Sequence, residues 1–120
     1  MKKILIVDDE PNIVMSLEYI FKKENFEVFI ARDGAEALDI IENKLPHIVL
    51  LDIMMPNVDG YQVLHHLKST AVLNTIKVVF LSAKNKIADI ELGLELGADK
   101  YISKPFSTKK IVKEVKELLK

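Results

Sequence analysis

Four short apolar runs in this chain each end on a residue suited to gripping a phosphoryl group. Ile4-Leu5-Ile6-Val7 leads into Asp8-Asp9, Ile48-Val49-Leu50-Leu51 into Asp52, Val78-Val79-Phe80-Leu81 into Ser82, and Tyr101-Ile102 toward Lys104-Pro105. Apolar runs without alternation mark parallel strands buried on both faces. In an open parallel sheet, ligands sit outside the carboxyl ends of the strands. Three carboxylates, a hydroxyl and an ammonium are therefore expected around one crevice. Two carboxylates 4 Å apart near a protein surface repel by about 4 kcal/mol, so the cluster needs a cation. An all-oxygen donor set with few dedicated ligands favours Mg²⁺, which together with Lys104 roughly balances three carboxylates. A carboxylate in such a site can act as nucleophile and form an aspartyl phosphate, with metal and lysine stabilising the equatorial oxygens.

The elements that must position these residues alternate strand and helix five times, with no composition break, repeat or low-complexity tract. A helix starts near Pro11, a residue tolerated in a first turn, and carries the stripe Ile13, Val14, Leu17, Ile20 and Phe21. Ile13, Val14 and Met15 are consecutive, so at least one of them must face solvent. Glu27–Ala31 reads as the second strand, and Asp33 with Glu36 as a capping box for a helix containing Ala37, Leu38 and Ile41. Pro56 and Gly60 punctuate a loop before a third helix with Tyr61, Val63, Leu64 and Leu67 facing the core. A fourth helix, about 86–96, stops at Gly97 in a left-handed cap. Ser107 caps the last helix, with Ile111, Val112, Val115, Leu118 and Leu119 as its stripe. Repeated βα units imply a doubly wound parallel sheet with helices on both faces and right-handed crossovers.

Each of these residues also has an ordinary reading. An aspartate at a strand end is usually a helix N-cap, and Asp9 alone would be read so. A lone Ser82 is a loop hydroxyl and a lone Lys104 a solvated side chain. Asp59 before Gly60 reads as a turn or cap residue. Their common position at strand ends, on one edge of the sheet, favours the functional reading. His47, His65 and His66 fall on a loop and a helix surface and receive no role. Met15, Met54 and Met55 read as packing or loop residues. No glycine-rich phosphate cradle occurs, and Asp-Asp-Glu-Pro after the first strand would repel a flavin phosphate.

With 120 residues, the chain has the size of one domain, taken as 1–120. Seventeen basic against 18 acidic residues leave a net charge of −1, which argues against nucleic acid or an anionic membrane as the main partner. The lack of cysteine excludes disulfides and thiolate metal sites. The apolar run after Lys2-Lys3 stops at Asp8, too short for a signal peptide, and no stretch is long enough to span a bilayer. The expectation is a soluble cytoplasmic protein.

The segments ILIVDDEPNI, ALDIIE, VLLDIMMPNVDGYQVL, VVFLSAK and ELGADKYISKPF, with a closing amphipathic helix, resemble the receiver domains of two-component response regulators over essentially the whole chain. The resemblance implies a flavodoxin-like fold, with five parallel strands in the order 2-1-3-4-5 and five helices. It implies that Asp52 accepts a phosphoryl group from a phosphohistidine on a sensor histidine kinase or phosphotransfer protein. Asp9 corresponds to the direct Mg²⁺ ligand, Asp8 to one acting mainly through water, and the Met54 backbone carbonyl completes the protein ligands alongside Asp52. Ser82, the Ala83 backbone and Lys104 correspond to the phosphoryl-binding groups. Ser82 and Tyr101 correspond to the switch pair, and Lys104-Pro105 to a cis peptide. Met54 and Lys84 flank the path of the hydrolytic water, and neither orients or activates water well, so slow self-dephosphorylation is expected.

The function implied is a phosphorylation-controlled switch, not an enzyme acting on external substrate. Its output face would be the fourth helix, last strand and last helix, about 86–120, where a downstream effector domain or protein binds or two copies pair. A small Mg²⁺-dependent aspartate phosphatase is the first alternative. Such enzymes show Asp-x-Asp after the first strand, and the adjacent pair Asp8-Asp9 does not supply it. A docking module that has lost phosphorylation is the second, and the intact acidic pocket and lysine argue against it.

Overall fold

The computed structural model describes residues 1–53, 59–83 and 87–120. In chain order the elements are β1 (Lys3–Val7), α1 (Pro11–Lys23), β2 (Glu27–Ala31), α2 (Gly34–Lys44), β3 (Ile48–Asp52), α3 (Gly60–Ser69), β4 (Lys77–Ser82), α4 (Ile87–Glu95), β5 (Lys100–Ser103) and α5 (Thr108–Leu118). The strands form one parallel sheet in the order β2-β1-β3-β4-β5, as the resemblance implied. β1, β3 and β4 are central and almost wholly buried, which is why their sequences run apolar without alternation. The edge strands β2 and β5 are only half-buried.

Alternate strand residues feed two cores. Leu5, Val7, Val49, Leu51, Val78 and Phe80 meet Ala37 and Ile41 of α2 and Val63, Leu64 and Leu67 of α3. Ile4, Ile6, Ile48, Leu50, Val79 and Leu81 meet Leu17 and Phe21 of α1 and Ile111 and Val115 of α5. Each strand thus serves both layers, and a one-residue shift of register would exchange them. Of the consecutive apolar trio on α1, Val14 is buried, Ile13 is packed at the margin of the core, and Met15 is 67% exposed.

The helix ends follow local chemistry with two refinements. Asp33 caps α2 by accepting the Glu36 N–H at 2.8 Å. The expected reciprocal bond goes one residue upstream, because Glu36 Oε1 accepts from Arg32 N–H at 3.4 Å. A complete capping box occurs instead at α3. There Asp59 accepts from Gln62 N–H at 3.0 Å and Gln62 Oε1 accepts from Asp59 N–H at 2.9 Å. Ser107 caps α5, and Gly97 beyond α4 has φ +113°, as expected. Lys86 and Pro56, placed by sequence at a helix start and in a loop, lie outside the described residues.

At the amino-terminal edge of the sheet, His47 ties two strands together. Its Nδ1 accepts the Lys3 N–H at 2.9 Å, its own N–H donates to the Lys3 carbonyl at 2.9 Å, and its carbonyl accepts from Lys77 N–H. Burial, then the charges of Lys2, Lys3 and the amino terminus, push the imidazole pKa below its ordinary 6.5. Protonation in the folded protein would also turn the Nδ1 acceptor into a donor facing another donor. The unfolded chain therefore takes up the proton first, so this contribution is complete above about pH 6.5 and is lost as pH falls below it. Thermal unfolding at about pH 7.5 and about pH 5.5 should show a larger drop for the native chain than for His47→Gln. Equal drops would remove the role of His47.

Candidate functional site

The carboxyl ends of β1, β3, β4 and β5 converge on a site whose polar side chains are mostly buried. Asp8, one residue beyond β1, is fully buried; Asp52, the last residue of β3, is 3% exposed; Ser82, the last residue of β4, is fully buried. Backbone hydrogen bonds fix these ends. Asp8 N–H donates to the Ala31 carbonyl at 3.1 Å, and Lys104 N–H donates to the Ser82 carbonyl at 2.8 Å. The Lys104–Pro105 peptide bond is cis, as the resemblance implied.

Lys104 runs into the acidic pocket. Its Nζ lies 2.9 Å from Asp8 Oδ2, 2.9 Å from Glu10 Oε1 and 3.5 Å from Asp52 Oδ2, and the side chain is only 10% exposed. Burial works against the ammonium, but its hydrogen bonds to Glu10 and Asp8 and the charge of Asp52 outweigh that and hold its pKa above the ordinary lysine value. Lys104 therefore stays charged at neutral pH. Among these four groups three carboxylates face one ammonium, so negative charge is in local excess.

Asp8, Glu10 and Asp52 can each present an oxygen within 4.8 Å of the others. Hard carboxylate oxygens at this spacing, already gathered around a lysine cation, suit a small divalent ion such as Mg²⁺. Asp9 is exposed and is not one of these three. The third carboxylate is Glu10, the third acidic residue after β1, where only the first two, Asp8 and Asp9, were expected at the site. The signal available in the sequence was its place two residues after Asp8, where a turn bends the chain back. Glu10 N–H donates to Asp8 Oδ1 at 2.9 Å.

Ser82 and Tyr101 are also brought together, since the Tyr101 hydroxyl shares a hydrogen bond with Ser82. Burial raises the Tyr101 pKa against the opposing effect of that bond. Its ring, half-buried, packs edge-on against Phe80, with centroids 6.2 Å apart. Ala83 follows Ser82 at the surface. Met54 and Lys84, expected beside the phosphoryl group, lie outside the described residues, as does Met55. His66 pairs with Glu42 at 2.7 Å between α3 and α2, away from the site.

Gly60 acts by close approach. A Cβ there would meet the Ile53 Cα at 2.8 Å and the Asp52 carbonyl oxygen at 2.9 Å. The start of α3 rests directly on the strand end that carries Asp52, and Gly60 N–H donates to the Ile53 carbonyl at 3.2 Å.

A five-stranded parallel sheet in this order, with helices on both faces and an acidic pocket and a lysine at its carboxyl edge, defines a flavodoxin-like α/β domain. Residues 4–116 match the response regulator receiver domain family, and the chain belongs to that family. Solved structures agree. The receiver domain of Francisella response regulator 1452 is 31% identical, with TM-score 0.91, covering 98% of this chain and 96% of that one. A CheY-like response regulator receiver domain protein from Methanospirillum hungatei is 32% identical, with TM-score 0.91 and coverage of 99% and 94%. The signal receiver domain of a signal transduction histidine kinase from Syntrophus aciditrophicus is 33% identical, with TM-score 0.91 and coverage of 99% and 90%. Receiver domains are signalling switches of two-component systems.

Two outcomes follow from this packing. Gly60→Ala should cost about 1–3 kcal/mol, because backbone atoms must move, and urea unfolding would measure it. An unchanged midpoint would refute the close approach. Lys104→Met removes a cation that competes for the Asp8 oxygens, so Mg²⁺ affinity by calorimetry should rise about tenfold. Unchanged affinity would show that Lys104 does not compete.

Proposed function

We propose that residues 1–120 form one receiver domain in which Asp52 accepts a phosphoryl group and thereby switches a partner-binding surface. The observation that carries this is the placement of Asp52 at the end of β3, buried beside Asp8, with the Lys104 ammonium 3.5 Å away. In the transfer, an Asp52 carboxylate oxygen bonds to phosphorus as the bond from phosphorus to the donor's imidazole nitrogen breaks. The electron pair stays on that nitrogen. A sensor histidine kinase or phosphotransfer protein is the donor the family implies.

Mg²⁺ would be held by Asp8 and Asp52, with Asp9 and the Met54 carbonyl as the further ligands that the family pattern suggests, and when bound it offsets charge on the carboxylates and on the phosphoryl oxygens. Lys104 supplies the protein's own positive charge and donors to a phosphoryl oxygen. Ser82 and the Ala83 backbone supply the others. Ser82 bonds Tyr101 in the unphosphorylated chain, so drawing its hydroxyl toward a phosphoryl oxygen changes what holds the Tyr101 ring. Tyr101 lies on β5, between α4 and α5, and passes the change to that face. Ile87, Leu92, Leu94 and Leu96 on and just after α4 are exposed, and part of this apolar surface suits a downstream effector or a second copy. Met54 and Lys84 would set a slow self-dephosphorylation, and no external substrate is turned over. Among the described residues no helix is long and apolar enough to cross a membrane.

Incubation with acetyl phosphate should add one phosphate by intact mass only when a divalent cation is present. Asp52→Asn should abolish the addition. A phosphorylated Asp52→Asn chain, or uptake that ignores the cation, would sink the assignment.

A further inference from the structure

Glu10 is the member of the carboxylate group with no part in holding the metal or the phosphoryl group in the proposed function. It occupies the N-cap position of α1, yet its side chain makes no capping hydrogen bond. Oε1 instead reaches Lys104 Nζ at 2.9 Å, across 94 positions of sequence. The Glu10 backbone N–H is held by Asp8 Oδ1, so the side chain springs from a point anchored to the buried carboxylate. The two carboxylates that share the ammonium differ in surroundings. The Asp8 side chain is fully buried, whereas that of Glu10 is 57% exposed. Asp52 Oδ2 stands farther off, at 3.5 Å.

We propose that Glu10 is a positioning residue that holds the Lys104 ammonium over Asp8 in the unphosphorylated chain and yields it to the phosphoryl group on Asp52. The inference rests on Asp52 being the phosphoacceptor. An ammonium has three N–H donors, and here two are committed, to Asp8 and Glu10. Drawing the ammonium closer to a phosphoryl oxygen on Asp52 strains or breaks one of these bonds. Leaving Asp8 would strand a buried carboxylate, which is costly. Leaving Glu10 exchanges an ammonium for water at a half-exposed side chain, which costs little. Glu10 is the arm that releases, and the strength of its hold opposes phosphorylation by the modest amount such a pair supplies.

The test uses the full chain and two readouts. In metal-free protein carrying ¹⁵N-lysine, the Lys104 ammonium resonance, assigned with Lys104→Met, should shift and exchange faster with water in Glu10→Gln. At saturating Mg²⁺, Glu10→Gln should take phosphate from acetyl phosphate about two- to fivefold faster, the range expected for loss of a half-exposed ion pair. In a Lys104→Met background the same substitution should give no gain. A gain of equal size there would mean that Glu10 acts only through its charge, and would overturn the proposal. An unchanged resonance, or no acceleration with Lys104 present, would overturn it too. If the native chain takes up no phosphate, the phosphoacceptor reading fails, while the resonance still decides whether Glu10 holds Lys104.

Discussion

Two carboxylates buried at the ends of central strands set the terms for this molecule. Asp8 and Asp52 are almost without solvent, and ionised carboxylates in that position need compensating positive charge. Within the described residues it comes from Lys104, whose ammonium sits among both aspartates and Glu10. The ammonium is delivered from the far side of the sheet, past β4, by a backbone pinned to the Ser82 carbonyl. The edge strand β5 is therefore positioned by electrostatics at its end as well as by its ladder to β4. Among the described groups, the excess of carboxylates over the one ammonium favours a divalent ion. A pocket neutralised by protein charges alone would have little reason to bind a divalent ion.

The parallel sheet makes the convergence possible. Parallel strands joined by helical crossovers place every carboxyl end on the same edge, so residues far apart in sequence meet without any loop reaching for them. Asp8 and Lys104, at the ends of β1 and β5, lie 96 positions apart and share a 2.9 Å contact. The two cores beneath are built from alternate residues of the same central strands, which leaves those strands no freedom to slide. The buried strands are β1, β3 and β4, and the half-buried edge strand β5 carries Tyr101.

Much of this was legible in the residues for identifiable reasons. Fully buried parallel strands write themselves as unbroken apolar runs, and caps such as Asp33, Ser107 and Gly97 depend on local geometry alone. Strand order was reached only through family resemblance, because periodicity says nothing about which strands are neighbours. Gln62 as the partner of Asp59, and Gly60 as a contact surface for β3, were missed. The first was read as one turn residue without its reciprocal partner, and the second needs knowledge of what packs 2.8 Å away. Glu10 was missed for a more instructive reason. A rule that looks only at strand ends assigns the first two acidic residues after β1 and stops, whereas the turn aims the third back at Lys104.

A switch needs two arrangements of similar free energy, and this site offers shared groups at two points. Lys104 lies among three carboxylates, and Ser82 is bonded to Tyr101 at the edge of the same pocket. In each case a donor suited to a phosphoryl oxygen already has a protein partner. Under the proposed function, binding a phosphoryl group would be an exchange of partners rather than the filling of an empty cradle, and the net gain would be the difference between two sets of bonds. A fully preorganised cradle would bind more strongly but would leave the surrounding structure unaltered. If Asp52 accepts a phosphoryl group as proposed, Ser82 would serve it at the expense of Tyr101, and the chemistry at Asp52 and the packing of β5 would share one free-energy balance in which each biases the other.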